Sequence, residues 1–386
     1  MKSLREQTLR LQGWAPKAGW LAARNYDFQL TTYAALLTVF GLAMAYSNAV
    51  TLTHAPFALN SYFVRSLQWT VVAAVVFGLT TVFDYKWFRS FAWPIYLINL
   101  VLLILTLRFG RGTGEAGTAA RWIVIGGNIQ LQFSELAKIV MILVFAAYLT
   151  GRQKNIKSPW TIVGAIIILV PPWVLVMMQP DLGTSLVMVA VLAGLLFMSG
   201  GSLLWMGTLV ASVAAAIPFI WTNVMQRYQQ ARILTLINPQ ADPKGAGYQL
   251  GQAHQAIAIG GFAGKGLANG TVDLPVKATD FVWGVLAEEL GFIGSVVVLI
   301  LFGLFLWRLL VCAWRSTDTF AMLIGCGLAT MIFFQVLVNV GMVVGLLPVT
   351  GIPLPFISYG GASLVSLAAG LGALQSANLR REKPEW

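Results

Sequence analysis

Three acidic residues stand close together in a stretch of the chain that is otherwise apolar. Asp280 opens this stretch and Glu288 and Glu289 follow within it, although the sequence of 386 residues holds only 14 acidic residues. A carboxylate in apolar surroundings is costly unless it has partners or faces water. It can also act as a general base, which takes the proton of an attacking hydroxyl. The stretch predicts a functional site at Asp280, with Glu288 and Glu289 either tuning it or bonding a neighbouring helix.

Two further polar groups interrupt apolar segments. Glu135 and Lys138 are three residues apart, so they share one face of a helix. Gln179 and Asp181 stand just before another apolar segment, where the helix dipole favours a carboxylate. Each group also has a purely structural interpretation: Asp181 as a helix cap, and Glu135 with Lys138 as a packing ion pair.

The last connection between apolar segments, residues 345–361, contains three prolines and four glycines and cannot be a regular helix. Irregular backbone at membrane depth is tolerated when it is buried in protein or lines a cavity. Ser358, with the amides of Gly360 and Gly361, could bind an anion there. The structural alternative is a packed re-entrant elbow.

The composition shows what kind of protein must position these residues. Hydrophobic residues make up 58% of the chain and charged residues only 10%, far below the charged share of soluble domains. The chain is therefore a polytopic membrane protein. Its net charge of +11 is assigned to cytoplasmic loops and to contact with membrane lipids, not to nucleic-acid binding. The two histidines show no metal-ligand spacing, and the two cysteines lie in or beside apolar segments, which argues against a disulfide framework.

The apolar pattern predicts an all-α fold with about ten transmembrane helices. The expected spans are 28–50, 63–83, 87–108, 134–150, 160–178, 182–199, 203–221, 281–308, 319–345 and 356–378. Residues 1–27 form a basic tail, either an interfacial helix or disordered, and 381–386 form a second tail. A single membrane domain is expected over 28–380.

Basic residues set the expected orientation, because they concentrate in cytoplasmic loops. Both termini are then cytoplasmic, and the long segment 222–280 between the seventh and eighth spans faces outward. Arg121, Lys265 and Lys277 break the rule by lying on outer segments, which suggests that the outer surface meets an anionic ligand. The same topology puts Asp280 at the outer end of its helix. It does the same for Glu135, Lys138 and Asp181, so one outer cavity could hold them all.

Several stretches together resemble the SEDS family of cell-wall polymerases (RodA, FtsW and SpoVE). They are Ala120–Ile123, Ser134–Lys138, Gln179–Thr184, Gly264–Gly266, Leu274–Pro275, Thr279–Phe281, Glu288–Gly291, Asn339–Pro348 and Ser358–Gly361. The likeness covers nearly the whole chain in order, and its C-terminal part looks closer to RodA. Two features depart from the family pattern: Phe133 replaces a proline before Ser134, and the segment between Gly270 and Leu274 is short.

The resemblance implies a peptidoglycan glycosyltransferase that polymerises lipid II at the outer face of the bacterial cytoplasmic (inner) membrane, for cell elongation and shape or for division. The family's catalytic carboxylate falls on Asp280. Its cavity residues fall on Glu135, Lys138 and Asp181, and Arg121 matches a basic position. A divalent cation (Mg²⁺ or Mn²⁺) and a class B penicillin-binding transpeptidase as partner are implied as well.

The chemistry asks for one base and for positive charge. Lipid II carries a diphosphate leaving group, which needs cations rather than a proton donor. Arg121, Lys265 and Arg111 are the candidates, and Lys277 would aim the junction before Asp280. Two other functions stay open: a lipid II flippase, which needs a polar path across the bilayer, and a non-enzymatic scaffold of a wall-synthesis complex.

Overall fold

The computed structural model describes residues 25–53, 55–59, 61–110, 121–125, 129–223, 225, 227–238, 242, 245–274 and 278–381. Most of the predicted N-terminal tail, the C-terminal residues after 381, Arg111 and Lys277 lie outside these residues.

Helices dominate the described part of the chain. In chain order they are α1 (Phe28–Thr53), α2 (Tyr62–Val82), α3 (Tyr85–Ser90), α4 (Ala92–Phe109), α5 (Phe133–Gly151), α6 (Pro159–Met178), α7 (Leu182–Met198), α8 (Leu203–Asn223), α9 (Arg227–Ile237), α10 (Ala246–Gly260), α11 (Val282–Trp314), α12 (Thr319–Val343) and α13 (Gly361–Leu379). A short 3₁₀ helix, Gln153–Asn155, follows α5.

Eight of these helices are long and apolar enough to cross a membrane: α1, α2, α4, α5, α6, α11, α12 and α13. The shorter apolar helices α7 and α8 complete the set of ten that the sequence predicts. The all-α polytopic fold is therefore confirmed. The boundaries differ most at α11, which ends at Trp314 and not at 308, while α4 and α13 each begin five residues later than expected, at Ala92 and Gly361.

One small sheet was not predicted. Strand β1 (Ile123–Ile125) pairs antiparallel with β2 (Ile129–Leu131), directly before α5. This hairpin falls in the Gly-rich segment 109–133, which the sequence presents only as a loop. It follows Arg121 and leads the chain back to the bundle.

The core lies around α5 and α12, whose side chains are the most buried of the spanning helices. Helix α12 packs against α5, α7 and α11, and α13 packs against α2 and α5. Helix α8 is almost wholly exposed along its length, as expected for a helix that faces lipid.

The first and last residues that the structure describes meet on one side of the bundle. The amide of Asn25 donates to the carbonyl of Arg381 at 3.2 Å. Beside them, Arg308 near the end of α11 binds the Asp27 carboxylate through Nε and Nη2, at 2.9 Å and 2.8 Å. Asn25 and Arg381, the first and last described residues, therefore lie on the same side of the bundle, at the opposite end of α11 from Asp280.

Helix α11 is broken, whereas the sequence predicts a continuous span over 281–308. Gly291 adopts φ 66° and ψ −166°, a conformation that favours glycine. The loop after α10 supplies the missing backbone partners. The amides of Lys265 and Gly266 donate to the carbonyls of the two residues before Leu290, at 3.0 Å and 2.9 Å. The amides of Phe292 and Ile293 donate to loop carbonyls, at 2.9 Å and 3.1 Å. The break is stable because each interrupted helix end is capped.

Candidate active site

Asp280 lies one turn before α11, where three consecutive carbonyls are held by three different donors. The backbone amide of Tyr359 donates to the carbonyl two residues before Asp280, at 2.8 Å. The Ser358 hydroxyl donates to the carbonyl of Thr279 at 2.6 Å, and the Asn339 amide donates to that of Asp280 at 2.9 Å. The backbone at Asp280 is thus fixed by α12 and by the connection between α12 and α13.

Asn339 is a positioning residue that the sequence analysis did not select. It is fully buried in α12. Its Nδ2 also donates to the carbonyl of Ile352 at 2.7 Å, so one amide ties the Asp280 backbone to the α12–α13 connection. The available signal was an amide side chain within an apolar helix, which is costly unless it is hydrogen-bonded.

The connection between α12 and α13, residues 344–360, is the elbow, and Gly351 brings it against the Asp280 side chain. Gly351 has φ +74°, and a Cβ there would lie 3.3 Å from Oδ2 of Asp280 and 3.8 Å from Nη1 of Arg232. On its other side the elbow touches the start of α7, where a Cβ at Gly183 would lie 3.5 Å from the carbonyl of Gly351. The elbow therefore joins the two helix starts that carry Asp181 and Asp280.

Ser358 lies in the elbow and holds it through two hydrogen bonds. Its Oγ accepts the amide of Leu354 at 2.8 Å while it donates to Thr279. The structural alternative for Ser358, a packed elbow, accounts for both contacts. An anion-binding role for Ser358 stays a prediction.

Asp181 is the N-cap of α7 and receives four hydrogen bonds. Oδ1 accepts the backbone amide of Thr184 at 3.1 Å. Oδ2 accepts the hydroxyls of Thr184 and Ser134, at 2.9 Å and 3.1 Å, and the amide of Gln132 at 3.2 Å. The carboxylate links β2, α5 and α7 and is 6% exposed, so its role as a cap is fully met.

Arg121 and Gln179 brace the turn before Asp181. Nε of Arg121 donates to the carbonyl of Gln179 at 2.9 Å, and Nη2 donates to the carbonyl of Pro180. The buried Gln179 side chain donates to the carbonyl of Leu103 in α4, at 3.2 Å. The guanidinium of Arg121 is therefore engaged with backbone carbonyls.

Glu135 and Lys138 form a buried ion pair in the first turn of α5. Nζ of Lys138 lies 2.6 Å from Oε2 of Glu135, and the two residues are 3% and 5% exposed. Glu135 follows Ser134, which binds Asp181, so the pair belongs to the same end of the bundle. The pair fits the structural interpretation, and a role toward substrate stays a prediction.

The surroundings of Asp280 tune its acidity. Burial raises its pKa to about 6, and the negative charge of Asp181 adds to the rise. The positive charges of Arg232 and Arg121 and a hydrogen bond from Thr279 lower the pKa in part. A carboxylate with a pKa near 6 is mostly ionised at neutral pH and yet more basic than an ordinary aspartate. Both properties suit a general base.

Lys265 lies beside Glu288, near the break in α11. Its Nζ is 3.8 Å from Oε1 of Glu288. That oxygen also accepts the amides of Thr271 and Val272 at 2.6 Å and 3.2 Å, and Glu289 accepts the hydroxyl of Ser47. Glu288 anchors the loop beside the break in α11 and Glu289 contacts α1 through Ser47, and the structural or tuning role expected of both stays a prediction.

The described residues do not form a metal site by themselves. No group of three or more histidine, cysteine, aspartate or glutamate side chains gathers among them. Asp181 already accepts four hydrogen bonds. A Mg²⁺ ion can bind through one or two carboxylates together with substrate phosphates, so the divalent cation stays a prediction from the family resemblance.

Fold and site together define a polytopic membrane protein with a tuned carboxylate where an outer loop enters a spanning helix. Residues 28–383 match the model of the FtsW/RodA/SpoVE family, described as a cell cycle protein. The chain belongs to this family, which confirms the resemblance found in the sequence.

Known proteins similar to this chain include a peptidoglycan glycosyltransferase and a sporulation protein. It is 39% identical over 303 residues to the peptidoglycan glycosyltransferase MrdB of Escherichia coli K12, covering 76% of this chain and 80% of that protein. It is 34% identical over 356 residues to the stage V sporulation protein E of Bacillus subtilis, covering 90% and 95%.

Solved structures agree with the fold. RodA of Thermus thermophilus aligns with TM-score 0.69 at 29% identity, over 93% of this chain and 98% of that chain. A chain from a peptidoglycan synthase complex, described as coordinating polymerization and crosslinking, aligns with TM-score 0.77 at 32% identity, over 92% and 97%.

Proposed function

We propose that this protein is a peptidoglycan glycosyltransferase that polymerises lipid II, with Asp280 as the general base. The observation that carries the proposal is Asp280 itself. Its backbone is held by Asn339, Ser358 and Tyr359, and its half-buried side chain has a pKa raised to about 6. Family membership and the names of the relatives support the reaction class.

In this reaction a sugar hydroxyl attacks the anomeric carbon of a second sugar. The new glycosidic C–O bond forms as the bond to the lipid diphosphate breaks, and the hydroxyl proton passes to Asp280. A positioned base contributes about 10²–10⁴-fold to such a step. One carboxylate suffices, because a diphosphate leaves without being protonated. Glycosidases, by contrast, use two carboxyl groups.

The position of the site supports an enzyme over a flippase. Asp280, Asp181 and Arg121 gather at one end of the bundle, whereas Arg308 and Asp27 lie at the other end of α11. A flippase requires a polar path between the two ends. The buried interior between them is largely apolar around α5 and α12, which favours chemistry at one membrane surface.

The setting follows from the same proposal. The protein is a multi-pass membrane protein, and we place it in the bacterial cytoplasmic membrane with Asp280 facing outward, where lipid II presents its sugars. The partner would be a class B penicillin-binding transpeptidase, which crosslinks the strands that the polymerase makes. The similarity to a chain of a peptidoglycan synthase complex supports this expectation.

Purified wild-type protein in detergent tests the proposal. No bilayer is crossed in detergent, so a polymerase makes glycan strands from lipid II there and a flippase does not. Strands resolved by gel after incubation with labelled lipid II are the expected result. Transfer of lipid II across liposome membranes without strand formation in detergent would favour the flippase instead.

A further inference from the structure

The proposed reaction requires positive charge near Asp280, where the lipid diphosphate must leave, and this inference rests on that proposed function. Two of the predicted cations are committed to other contacts. Arg121 donates to the carbonyls of Gln179 and Pro180. Lys265 lies against Glu288 at the break in α11. Both side chains are therefore held, at least in part, by groups other than the Asp280 carboxylate.

Arg232 is a third cation at this end of the bundle, and it approaches the same elbow residue as Asp280. It lies on α9, outside the spanning helices, and is half-buried. Its Nη1 lies 3.4 Å from the carbonyl of Val349 in the elbow. The same nitrogen and Oδ2 of Asp280 both lie within 4 Å of the position that a Cβ on Gly351 would take. Arg232 and Asp280 thus approach the same elbow residue, Gly351, which has no side chain to keep them away.

We propose that Arg232 binds the diphosphate of the lipid donor. A guanidinium presents parallel N–H donors that match two phosphate oxygens, and it stays charged at any working pH. In an inverting displacement the base and the leaving group flank the sugar. The Asp280 carboxylate and the Arg232 guanidinium, which both approach the Cβ position of Gly351, supply that pair.

The helix that carries Arg232, α9, is also connected to the helix that begins beside Asp280. Helix α9 packs mainly against α10, whose following loop closes the break in α11. The segment that carries Arg232 is therefore tied through α10 to the helix that begins beside Asp280. A substrate diphosphate bound at Arg232 would be held against the helix start that carries the base.

A simpler role for Arg232 is to serve only as a charge partner for Asp280. The two roles separate in the Asp280→Asn background, where no carboxylate remains to be paired. If Arg232 binds diphosphate, its removal in that background weakens diphosphate binding. If it serves only Asp280, its removal there changes nothing.

The experiment measures the dissociation constant of inorganic pyrophosphate by calorimetry on the full-length protein in detergent, with EDTA present. Five proteins are compared: the wild type, D280N alone, and D280N combined with R232Q, R232K or R152Q. Arg152 is an exposed arginine at the far end of α5 and serves as the charge-matched control. Melting temperatures show that each variant is folded.

We expect D280N to bind pyrophosphate more tightly than wild type, because one negative charge has left the site. Adding R232Q should weaken that binding about tenfold or more, the scale of a bidentate charge-assisted contact. R232K should lose less, because it keeps the charge without the fork, and it also stands in if R232Q fails to fold. R152Q should change nothing.

Equal affinity in D280N and D280N/R232Q overturns the proposal, as does the absence of pyrophosphate binding to D280N. The result does not depend on catalysis. Failure of wild type to make glycan strands would count against the proposed function, while loss of pyrophosphate binding on R232Q would still support a diphosphate site.

Discussion

An aspartate lies near each end of helix α11, Asp280 just before its start and Asp27 against Arg308 near its end, and the surroundings shift the pKa values of the two carboxylates in opposite directions. At the inner end, burial alone would raise the pKa of Asp27, yet hydrogen bonds from Arg308, the Leu30 amide and Cys312 lower it below the usual value. At the outer end, burial raises the pKa of Asp280 to about 6, and the nearby arginines offset only part of that rise.

The difference separates a structural carboxylate from a reactive one. Asp27 is matched to a bidentate arginine, so its charge stabilises the fold. Hydrogen bonds hold the backbone at Asp280 tightly, but the nearby positive charges do not fully offset the cost of burying its carboxylate. Incomplete compensation costs stability, and it is a feature typical of residues that perform chemistry.

The largest expected effect is the loss of polymerisation rate when the Asp280 carboxylate is removed, with the Asp27 variant as its comparison. Asp280→Asn should lower the polymerisation rate by about 10²–10⁴-fold, because the attacking hydroxyl loses its base. Asp27→Asn should keep the rate per folded molecule and lower the melting temperature. Both are measured with labelled lipid II and by thermal unfolding of the purified proteins. Loss of activity in D27N at an unchanged melting temperature would erase the contrast.

Asn339→Leu should have the next largest effect. The substitution removes the donor that holds the carbonyls of Asp280 and Ile352, so we expect kcat to fall by about tenfold while KM changes little. The control is Gln335→Leu, a buried amide one turn earlier in α12. The measurement is steady-state kinetics with lipid II. An equal fall in both variants would mean that the effect is general destabilisation of α12.

A smaller effect is expected from Gly351→Ala. The methyl group would lie 3.3 Å from Oδ2 of Asp280, and the residue would have to keep φ +74°. The backbone strain costs about 1–2 kcal/mol, and we expect kcat to fall several-fold. Gly200→Ala carries similar strain at φ +83° but has nothing within 4 Å of its Cβ, so it should lose stability without loss of rate. Equal rates in the two variants would show that the elbow does not touch the reacting group.

The smallest expected effect is on the free energy of unfolding, and its sign differs between the Asp280 and Asp27 variants. The pKa of Asp280 is higher in the folded state than in the unfolded chain, so its contribution to stability is present below pH of about 4 and is lost as the pH rises through about 6. Asp280→Asn should therefore stabilise the protein at pH 7.5 by about 1–2 kcal/mol and not at pH 4.

Asp27 behaves in the opposite way. Its pKa is lowered by folding, so its contribution is present above the unfolded value and is lost as the pH falls. Asp27→Asn should destabilise the protein at pH 7.5. Chemical denaturation of both variants at the two pH values measures the difference, and a shift of the same sign in both would contradict the account.

The sequence predicted the ten apolar helices and the position of Asp280, because long apolar runs and a charge at their border are visible in the residues alone. It could not predict the break at Gly291. The apolar pattern continues through that glycine, and the backbone donors and acceptors that cap the break come from Gly261–Gly266, which the chain brings there only on folding.

Arg232 was missed for a similar reason. It lies in a polar stretch of the outer segment, where an arginine is usually solvated, and only the fold places it beside Gly351. Lys265 shows the converse. The sequence made it a candidate for binding the diphosphate leaving group, whereas in the structure its Nζ lies beside Oε1 of Glu288.

The pH dependence of lipid II polymerisation tests the central claim most directly. With Asp280 as the base, kcat/KM of the wild type should rise with pH, reach half its maximum near pH 6, and stay level above pH of about 7. The residual activity of D280N should lack this rise. A wild-type rate that does not change between pH 5 and 7, or an identical rise in D280N, would contradict the role of Asp280 as the base.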